Sequence, residues 1–305
     1  ESTLFADNDY VKVAIQDQHT NIILIEKNGE VIFEKEHDEC NDCDPYDIFK
    51  QVSAREIFEF SCEVELDKIR FIGQAAALNR ALSNEGLREN YGLHIGRTLR
   101  KQVGSGLMSD DLLSKIMIET TAASDARMGG ATLPAMSNSG SGNQGIAATM
   151  PVVVVADYLN VSEEKCLRAL FLSHLMAIYI HSKLPKLSAL CAVTTASMGS
   201  CAGIAYLLTG KFETVSMGIC SMIGDISGII CDGASNSCAM KVSTSVASGY
   251  KSVLMAMDET HVTGNEGIVE HDLDRTIDNL CSIASKSMHH IDRQVIEIMV
   301  SKPCP

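Results

Sequence analysis

The hydrophobic pattern near the start of the chain alternates between apolar and polar positions. The segment VKVAIQD (residues 11–17) puts its apolar residues on one face, and the following TNIILIEKNGEVIFEKE is divided by Asn28-Gly29. Alternation with period two is typical of β-strands, and Asn-Gly between two apolar runs is typical of a two-residue hairpin turn. The pattern therefore predicts two or three antiparallel strands between Val11 and Lys35, an element too small to be stable alone.

From Ser53 onward the apolar residues recur every three or four positions, which is typical of helices that bury one face. Ser53 is followed three residues later by Glu56, and this spacing predicts a capping box. The last helix is predicted to run from about Asp272 to Val300. Other boundaries are predicted by capping serines, glycines and a proline: starts at Ser109 and Ser162, and ends at Gly86, at Gly129-Gly130 and before Pro185.

Together the two patterns predict an α+β fold. Residues 1–50 would form a small N-terminal antiparallel β element, part of a small α/β subdomain, and residues 51–305 a large, mostly α-helical domain. Hydrophobic residues make up 46% of the chain, which is enough to bury a sizeable core. Aromatic residues are only 5% and Trp is absent, so small residues must fill the core, as in closely packed helices.

The net charge of −14 argues against a nucleic-acid-binding surface, because binding phosphates requires a positive field. No secretory signal opens the chain, and its eleven cysteines are unevenly spaced. We therefore expect a cytoplasmic protein with free thiols. Cys40 and Cys43 form a Cys-x-x-Cys pair, but no second pair lies at zinc spacing, so an ordinary acidic connection is favoured.

The segment from Leu187 to Gly210 carries no charge and is long enough to span a bilayer. It is rich in Ser, Thr, Gly and Cys and lacks flanking aromatic residues. These features favour a buried helical hairpin, and we expect no membrane partner.

The candidate chemistry begins with the polar segment SNSGSGNQG, residues 137–145, which precedes the apolar run GIAATMPVVVVADYL. Consecutive small residues let backbone N–H groups converge on an anion, and a helix start adds its positive dipole end. No Walker lysine follows and no strand leads in, so a carboxylate is favoured over a triphosphate or a dinucleotide. The segment supplies six polar side chains: Ser137, Asn138, Ser139, Ser141, Asn143 and Gln144.

Cysteines occur in two further candidate segments. In KLPKLSALC a helix breaks at Pro185 and the chain re-enters the core with Cys191. In CDGASNSCAMK, Cys231 and Cys238 lie near the predicted start of a helix. A thiol at a helix N-terminus has a lowered pKa and is available as a thiolate ligand. Most cysteines in a reducing compartment are nevertheless small buried hydrophobic residues, and this alternative remains open for each of them.

Six segments in this order resemble the iron–sulfur-dependent L-serine dehydratase α-chain / L-cysteine desulfidase family, and the desulfidase branch more closely. They are DQHTNIILIEKNGEVIF, SNSGSGNQGIAATMPVVVVA, SHLMAIYIHSKLPKLSALC, GIAYLLTG, ICDGASNSCAMK and GNEGIVEHDLDRTIDNL. The resemblance covers nearly the whole chain from Val11. It implies an oxygen-sensitive [4Fe–4S] cluster held by three cysteines, with one iron open for substrate and no pyridoxal phosphate.

By motif, Cys191 and Cys231 match two cluster ligands of the family, and residues 137–144 match its substrate-carboxylate loop. The family's first ligand lies in a Gly-Cys-Thr-Glu-Pro motif, which this sequence lacks. Either an N-terminal segment is absent from this chain or this member has lost the ligand. Cys238 is then a candidate third ligand, with Cys201 and Cys220 as alternatives.

The resemblance implies a carbon–sulfur or carbon–oxygen lyase. It would convert L-cysteine to sulfide, pyruvate and ammonia, or L-serine to pyruvate and ammonia. The base that removes the α-proton needs a pKa near neutrality. Candidates are His174 and His181, which are seven residues apart and share one helix face, and Lys183 or Lys186.

Two alternatives stay open beside this lyase. One is an inactive homologue, or a small-carboxylate-binding module that lacks a complete cluster. The other is a membrane-associated helical protein. We expect a small amino-acid substrate and a homodimer, and no nucleic-acid partner.

Overall fold

The computed structural model describes residues 1–16, 21–35, 46–185 and 188–303. The chain divides into two compact units, Glu1–Asp47 and Ile48–Pro305. The first contains a small antiparallel sheet and the second is mostly helical, which confirms the α+β class. Cys40 and Cys43 lie outside the described residues.

The N-terminal unit contains a four-stranded antiparallel meander in chain order. The turn predicted at Asn28-Gly29 is confirmed, because both residues have positive φ, 54° and 84°, as a type I′ turn requires. The first strand was not predicted, because its sequence STLFA does not alternate. No residue of the four described strands is buried. The strands are β1 Ser2–Ala6, β2 Asp9–Ile15, β3 Ile22–Lys27 and β4 Glu30–Glu34.

The second unit consists of helices joined by short connections. Short 3-10 turns lie at Asp47–Lys50 and Arg70–Ile72. The α-helices among the described residues are α1 Ala54–Glu63, α2 Leu66–Ile69, α3 Gly73–Arg88, α4 Ile95–Gly104, α5 Leu112–Met128, α6 Gly142–Leu159, α7 Glu163–Ser182, α8 Ala192–Thr209, α9 Phe212–Ile226, α10 Cys238–Met257, α11 Leu273–Lys286 and α12 His289–Ser301.

The predicted helix starts at Ser53 and Ser162 are confirmed, and Ser53 forms the full capping box. The start predicted at Ser109 is wrong. Asp111 caps α5 instead, because its carboxylate accepts the backbone N–H of Ser114 at 2.9 Å. All three residues of the sequence SDD can cap a helix, so composition alone could not choose among them.

The helix end predicted at Gly86 is also wrong, since α3 continues to Arg88. A Cβ at Gly86 would lie 2.0 Å from the carbonyl oxygen of Ala122 on α5. Glycine is therefore required here because two helix backbones approach closely, and not because the helix ends.

The long last helix that was predicted is interrupted and forms α11 and α12. The backbone N–H groups of Ser287 and Met288 both donate to the carbonyl of Ile283, and α11 ends with these bonds. No residue of α12 is buried. Its apolar spacing suits a helix but contributes nothing to the core of this unit.

The segment predicted as a buried hairpin is a single helix, α8, which packs against α6, α7, α9 and α10. Within the described part of the chain, α8 alone is long and apolar enough to cross a membrane, yet 78% of it is buried inside the protein. Such burial is typical of a core helix. A Cβ at Gly199 would lie 2.3 Å from the carbonyl oxygen of Ser173, so α7 and α8 are in close contact.

Candidate functional site

An isolated antiparallel bridge brings Cys191 and Cys231 together, although they are forty residues apart in sequence. The Cys191 N–H donates to the carbonyl of Ile229 at 2.9 Å, and the Cys231 N–H donates to the carbonyl of Ala189 at 2.7 Å. The two cysteines flank the bridged pair, so their side chains leave the same side of the ribbon. Diagonal positions of this kind lie roughly 7–8 Å apart.

Cys191 is the N-cap residue of α8, and its side chain is only 6% exposed. Burial raises the pKa of the Cys191 thiol to about 11, while a hydrogen bond from the Val193 backbone and the ammonium of Lys241 act in the opposite direction. Lys241 also forms an ion pair with Asp232, the residue after Cys231. A cation is thus held close to the buried thiol.

Cys238 is the first residue of α10, and its thiol donates to the carbonyl of Gly233 at 3.6 Å. It lies close enough to Cys191 and to Arg127 to affect the pKa values of both. Across residues 1–16, 21–35, 46–185 and 188–303, no three His, Cys, Asp or Glu side chains are grouped as a metal-ion site. The three cysteines are neighbours but do not form a site for a single metal ion.

Two helices begin at these cysteines, and a third begins at Gly142, against Arg127. The N-cap residues are Ser141 for α6, Cys191 for α8 and Ser237 for α10, and none makes a side-chain capping hydrogen bond. The N–H groups of a helix's first turn need partners outside the helix. The positive ends of α8 and α10 therefore lie at Cys191 and Cys238, and that of α6 lies at the end of the polar loop.

The polar loop is a miniature hairpin. Asn138 and Ser141 exchange backbone hydrogen bonds of 3.1 and 3.0 Å. The two residues between them, Ser139 and Gly140, have φ values of 48° and 82°, as in a type I′ turn. The loop therefore has one defined conformation, unlike a flexible glycine-rich linker.

His174 holds this hairpin from α7. Its Nδ1 lies 3.1 Å from the amide nitrogen of Asn138, and its Nε2 lies 2.9 Å from the hydroxyl of Thr149. Thr149 uses its only proton to donate to the carbonyl of Gly145 at 2.7 Å. His174 must therefore carry its proton on Nε2 and accept from Asn138 through Nδ1. Burial agrees with this neutral form, because it lowers the pKa of His174 to about 4.

The same network extends to α3. The Asn79 amide nitrogen donates to the Thr149 hydroxyl at 3.0 Å, and its amide oxygen accepts the backbone N–H of Met136 at 3.0 Å. Both sides of the polar loop are therefore fixed by side chains that are themselves buried.

The six polar side chains of the loop differ in exposure. Asn138, Asn143 and Gln144 are 3%, 4% and 5% exposed, whereas Ser139 and Ser141 are half-buried and Ser137 is exposed. Asn143 accepts a hydrogen bond from Ser124 of α5 at 3.1 Å. Within the described residues, the Gln144 side chain makes no hydrogen bond. Its amide, close to the start of α6, is available to a ligand.

The other proposed bases lie at or after the end of α7. Lys183 pairs with Asp278 at 2.6 Å and lies 4.7 Å from the centre of the Tyr179 ring, so its ammonium points towards α11. His181 is in the last turn of α7, and Lys186 lies outside the described residues.

The polar loop and the cysteines lie in a part of the chain that matches a known protein family. The serine dehydratase alpha chain family matches residues 27–297. The chain belongs to this family. The match confirms the resemblance that the six segments indicated, and it includes the polar loop and all three cysteines of the site.

Relatives of this family member are close in sequence. A UPF0597 protein of Actinobacillus pleuropneumoniae serotype 3 is 72% identical over 99% of this chain and 70% of its own length. One from Dichelobacter nodosus is 63% identical, with the same coverage. The UPF0597 protein YhaM of Escherichia coli O1:K1 / APEC is 60% identical over 95% of this chain and 67% of its own length. No solved structure matches the chain.

Sequence reasoning missed two charged residues near the end of α5, in the segment SDARMGG. Asp125 is 1% exposed; its Oδ2 accepts the Gly96 N–H at 2.9 Å, and its Oδ1 has no partner among the described residues. Arg127 lies against Gly142, the first residue of α6. The available signal was a pair of charged residues in a segment where most of the neighbouring residues are small and buried.

Proposed function

We propose that the protein is a lyase that catalyses the [4Fe–4S]-dependent β-elimination of L-cysteine or of L-serine. The main support is the bridge that puts Cys191 and Cys231 on one side of a ribbon. Cys238 is close enough to affect the pKa values of Cys191 and of Arg127, and Arg127 lies against Gly142 at the end of the polar loop. Membership of the serine dehydratase alpha chain family supports a reaction of this kind.

The residues fit the cluster in donor chemistry. Each ligand of a cubane cluster binds a different iron, so its thiolates stand farther apart than the ligands of one ion. The diagonal spacing of Cys191 and Cys231 suits this arrangement, and so does a third thiol nearby at Cys238. Lys241 and the positive helix ends favour the thiolate form that iron requires.

A cluster bound to these cysteines would supply a Lewis-acidic iron for the sulfur or oxygen that leaves the substrate. The chain itself would bind the amino acid. The N–H groups at the start of α6 and the amide of Gln144 are suited to its carboxylate. Loss of the α-proton and of sulfide or water leaves an aminoacrylate, which hydrolyses to pyruvate and ammonia.

In this proposal His174 is a positioning residue and not the base. Both of its ring nitrogens are occupied by Asn138 and Thr149, and burial lowers its pKa too far for proton removal at neutral pH. Its effect is to hold the hairpin that binds the carboxylate. The base is then better sought at His181. Gly199 packs against Ala177 and Gly203 against Ala169, so α7 and α8 run antiparallel and the last turn of α7 lies near the start of α8.

A second function has one observation in its favour. The described residues contain no three-ligand metal group, so the same loop could bind a small carboxylate without a cluster. Such a protein would bind an amino acid but would not react with it.

The test uses the full-length protein, purified without oxygen. Iron and acid-labile sulfide are measured, and L-cysteine and L-serine are assayed for sulfide, ammonia and pyruvate. Cys191→Ser and Cys231→Ser should each lose most of the iron and the activity. Cys166→Ser is the control, because Cys166 is part-buried like Cys231 but lies near the start of α7, remote from the bridge.

Wild-type protein that contains iron and forms pyruvate supports the lyase. Iron-free protein that still binds L-cysteine supports the carboxylate-binding module. Cys191→Ser and Cys231→Ser variants that retain full iron and activity would contradict the assignment of these ligands.

A further inference from the structure

Arg127 is a half-buried cation without an anionic partner among the described residues. Its Nη1 donates to the thioether sulfur of Met128 at 2.9 Å, and a thioether is a weak acceptor. Burial lowers the pKa of Arg127, which means that the guanidinium has lost hydration without gaining a carboxylate. A charge in this state is costly unless a ligand compensates it.

Most of the other arginines of this acidic chain have a carboxylate partner. With 39 acidic residues against 25 basic ones, a carboxylate is easily found. Six of the other nine arginines each lie within hydrogen-bond or ion-pair distance of one: Arg55, Arg70, Arg80, Arg88, Arg168 and Arg293. Arg97 and Arg100 donate instead to the Asn90 amide oxygen and the Leu87 carbonyl, and Arg275 is exposed. The missing partner of Arg127 therefore reflects its location and not a shortage of acids.

That location is the end of the polar loop. A Cβ at Gly142 would lie 2.3 Å from Arg127 Nε and 2.7 Å from its Cδ, so the side chain lies directly on the first residue of α6. Ser124, one helical turn earlier on α5, bonds to Asn143 of the same loop. On its other side, Arg127 is close enough to Cys238 for their charges to interact.

We infer that Arg127 is the counter-ion for the α-carboxylate of the amino-acid substrate. This inference rests on the proposed function and adds to it the group that recognises the carboxylate. A guanidinium presents paired N–H donors that match a carboxylate, and the first-turn N–H groups of α6 add neutral donors beside it. The same guanidinium would keep the amino acid between the loop and the cysteines.

The inference explains the glycine at position 142 as well. Any side chain there would collide with the Arg127 stem and displace the guanidinium. Gly142→Ala therefore moves the charge without removing it. Arg127→Gln removes the charge, and Arg127→Lys keeps the charge but loses the paired donors.

The experiment measures binding of L-serine and of ethanolamine by calorimetry, with full-length protein kept free of oxygen. The two ligands differ only by the carboxylate. Arg127→Gln should weaken L-serine binding by about 10- to 100-fold, the range expected for a charge-assisted hydrogen bond, and leave ethanolamine binding unchanged. Arg127→Lys and Gly142→Ala should fall in between. Arg293→Gln, on an exposed pair of α12, is the control and should match wild type.

Two further measurements separate recognition from structure. In turnover of L-cysteine, Arg127→Gln should raise KM by the same factor while kcat changes less, because the carboxylate is bound in both ground and transition states. Its melting temperature should not fall, since the substitution removes a desolvated and unpaired charge. A structural arginine would show the reverse, with lower stability and an unchanged ratio of L-serine to ethanolamine affinity.

The outcomes are distinguishable. L-serine binding by Arg127→Gln that equals wild type would overturn the inference and leave the proposed function intact. An equal loss for L-serine and ethanolamine would also overturn it, because the effect would then not depend on the carboxylate. Wild-type protein that binds neither L-serine nor L-cysteine would refute the proposed function itself.

Discussion

The buried carboxylate of Asp125 makes stability depend on pH in a way that one substitution can isolate. Its Oδ2 caps the start of α4 by accepting the Gly96 N–H, while its buried Oδ1 has no hydrogen-bond partner in the described part of the chain. Burial is the main cause of a pKa raised from 3.8 to about 6, and the hydrogen bonds from Gly96 and Ile95 oppose it only in part. Between pH 4 and pH 6, the folded state therefore keeps a proton on Asp125 that the unfolded chain releases.

The sign and size follow from that difference. Because the folded-state pKa is the higher one, the folded protein loses stability as pH rises from about 4 to about 6. Relative to a side chain that cannot ionise, Asp125 destabilises the folded state by about 2 kcal/mol at pH 5 and about 3 kcal/mol at pH 8, or about 1 kcal/mol more over this interval. Asp125→Asn cannot ionise, so its free energy of unfolding should rise relative to wild type by that amount between the two pH values.

The assay is urea unfolding of wild type and Asp125→Asn at pH 5 and pH 8. The asparagine buries two amide donors where Oδ1 lay, and this constant penalty of about 1–3 kcal/mol shifts both measurements equally. The informative quantity is therefore how the difference in unfolding free energy between Asp125→Asn and wild type changes from pH 5 to pH 8. Asp67→Asn, at a carboxylate that is 88% exposed, controls for the loss of one negative charge. Parallel pH profiles for Asp125→Asn and wild type would refute the burial argument.

Three further substitutions test the packing around the site. His174→Ala should lower the free energy of unfolding by about 2–4 kcal/mol in urea, because Asn138 and Thr149 lose a buried partner; unchanged stability would contradict its role in holding the loop. Gly199→Ala should lower the melting temperature, because a Cβ would collide with the carbonyl of Ser173. Gly104→Ala is its matched control, since it has open space around the new Cβ and should be neutral or stabilising by about 0.5–1 kcal/mol.

Local sequence signals were sufficient where the responsible physics is itself local. The Asn28-Gly29 turn and the Ser53 capping box depend on residues within a few positions of each other, and both are confirmed. The prediction at Gly86 was wrong because glycine has two different roles in helices. Glycine can end a helix or admit a neighbouring backbone, and only the position of Ala122, far along the chain, distinguishes the two.

The candidate site shows the same contrast between local and long-range signals. The polar loop and the cysteines could be chosen from the sequence, because small donors and thiols before apolar helices are visible there. The hydrogen bonds that occupy both nitrogens of His174 could not, since Asn138 and Thr149 belong to other segments. Arg127 was equally hidden, because an arginine in a helix reveals nothing about whether an acid lies beside it.

Arg127 and the start of α6 together make an argument for an anionic ligand. Among the described residues Arg127 has no carboxylate partner, and it lies against Gly142, where α6 begins without a side-chain cap. A half-buried cation beside a positive helix end costs folding free energy. An anionic ligand would compensate the cation and the helix end together. Saturating L-serine should therefore raise the melting temperature of wild type more than that of Arg127→Gln.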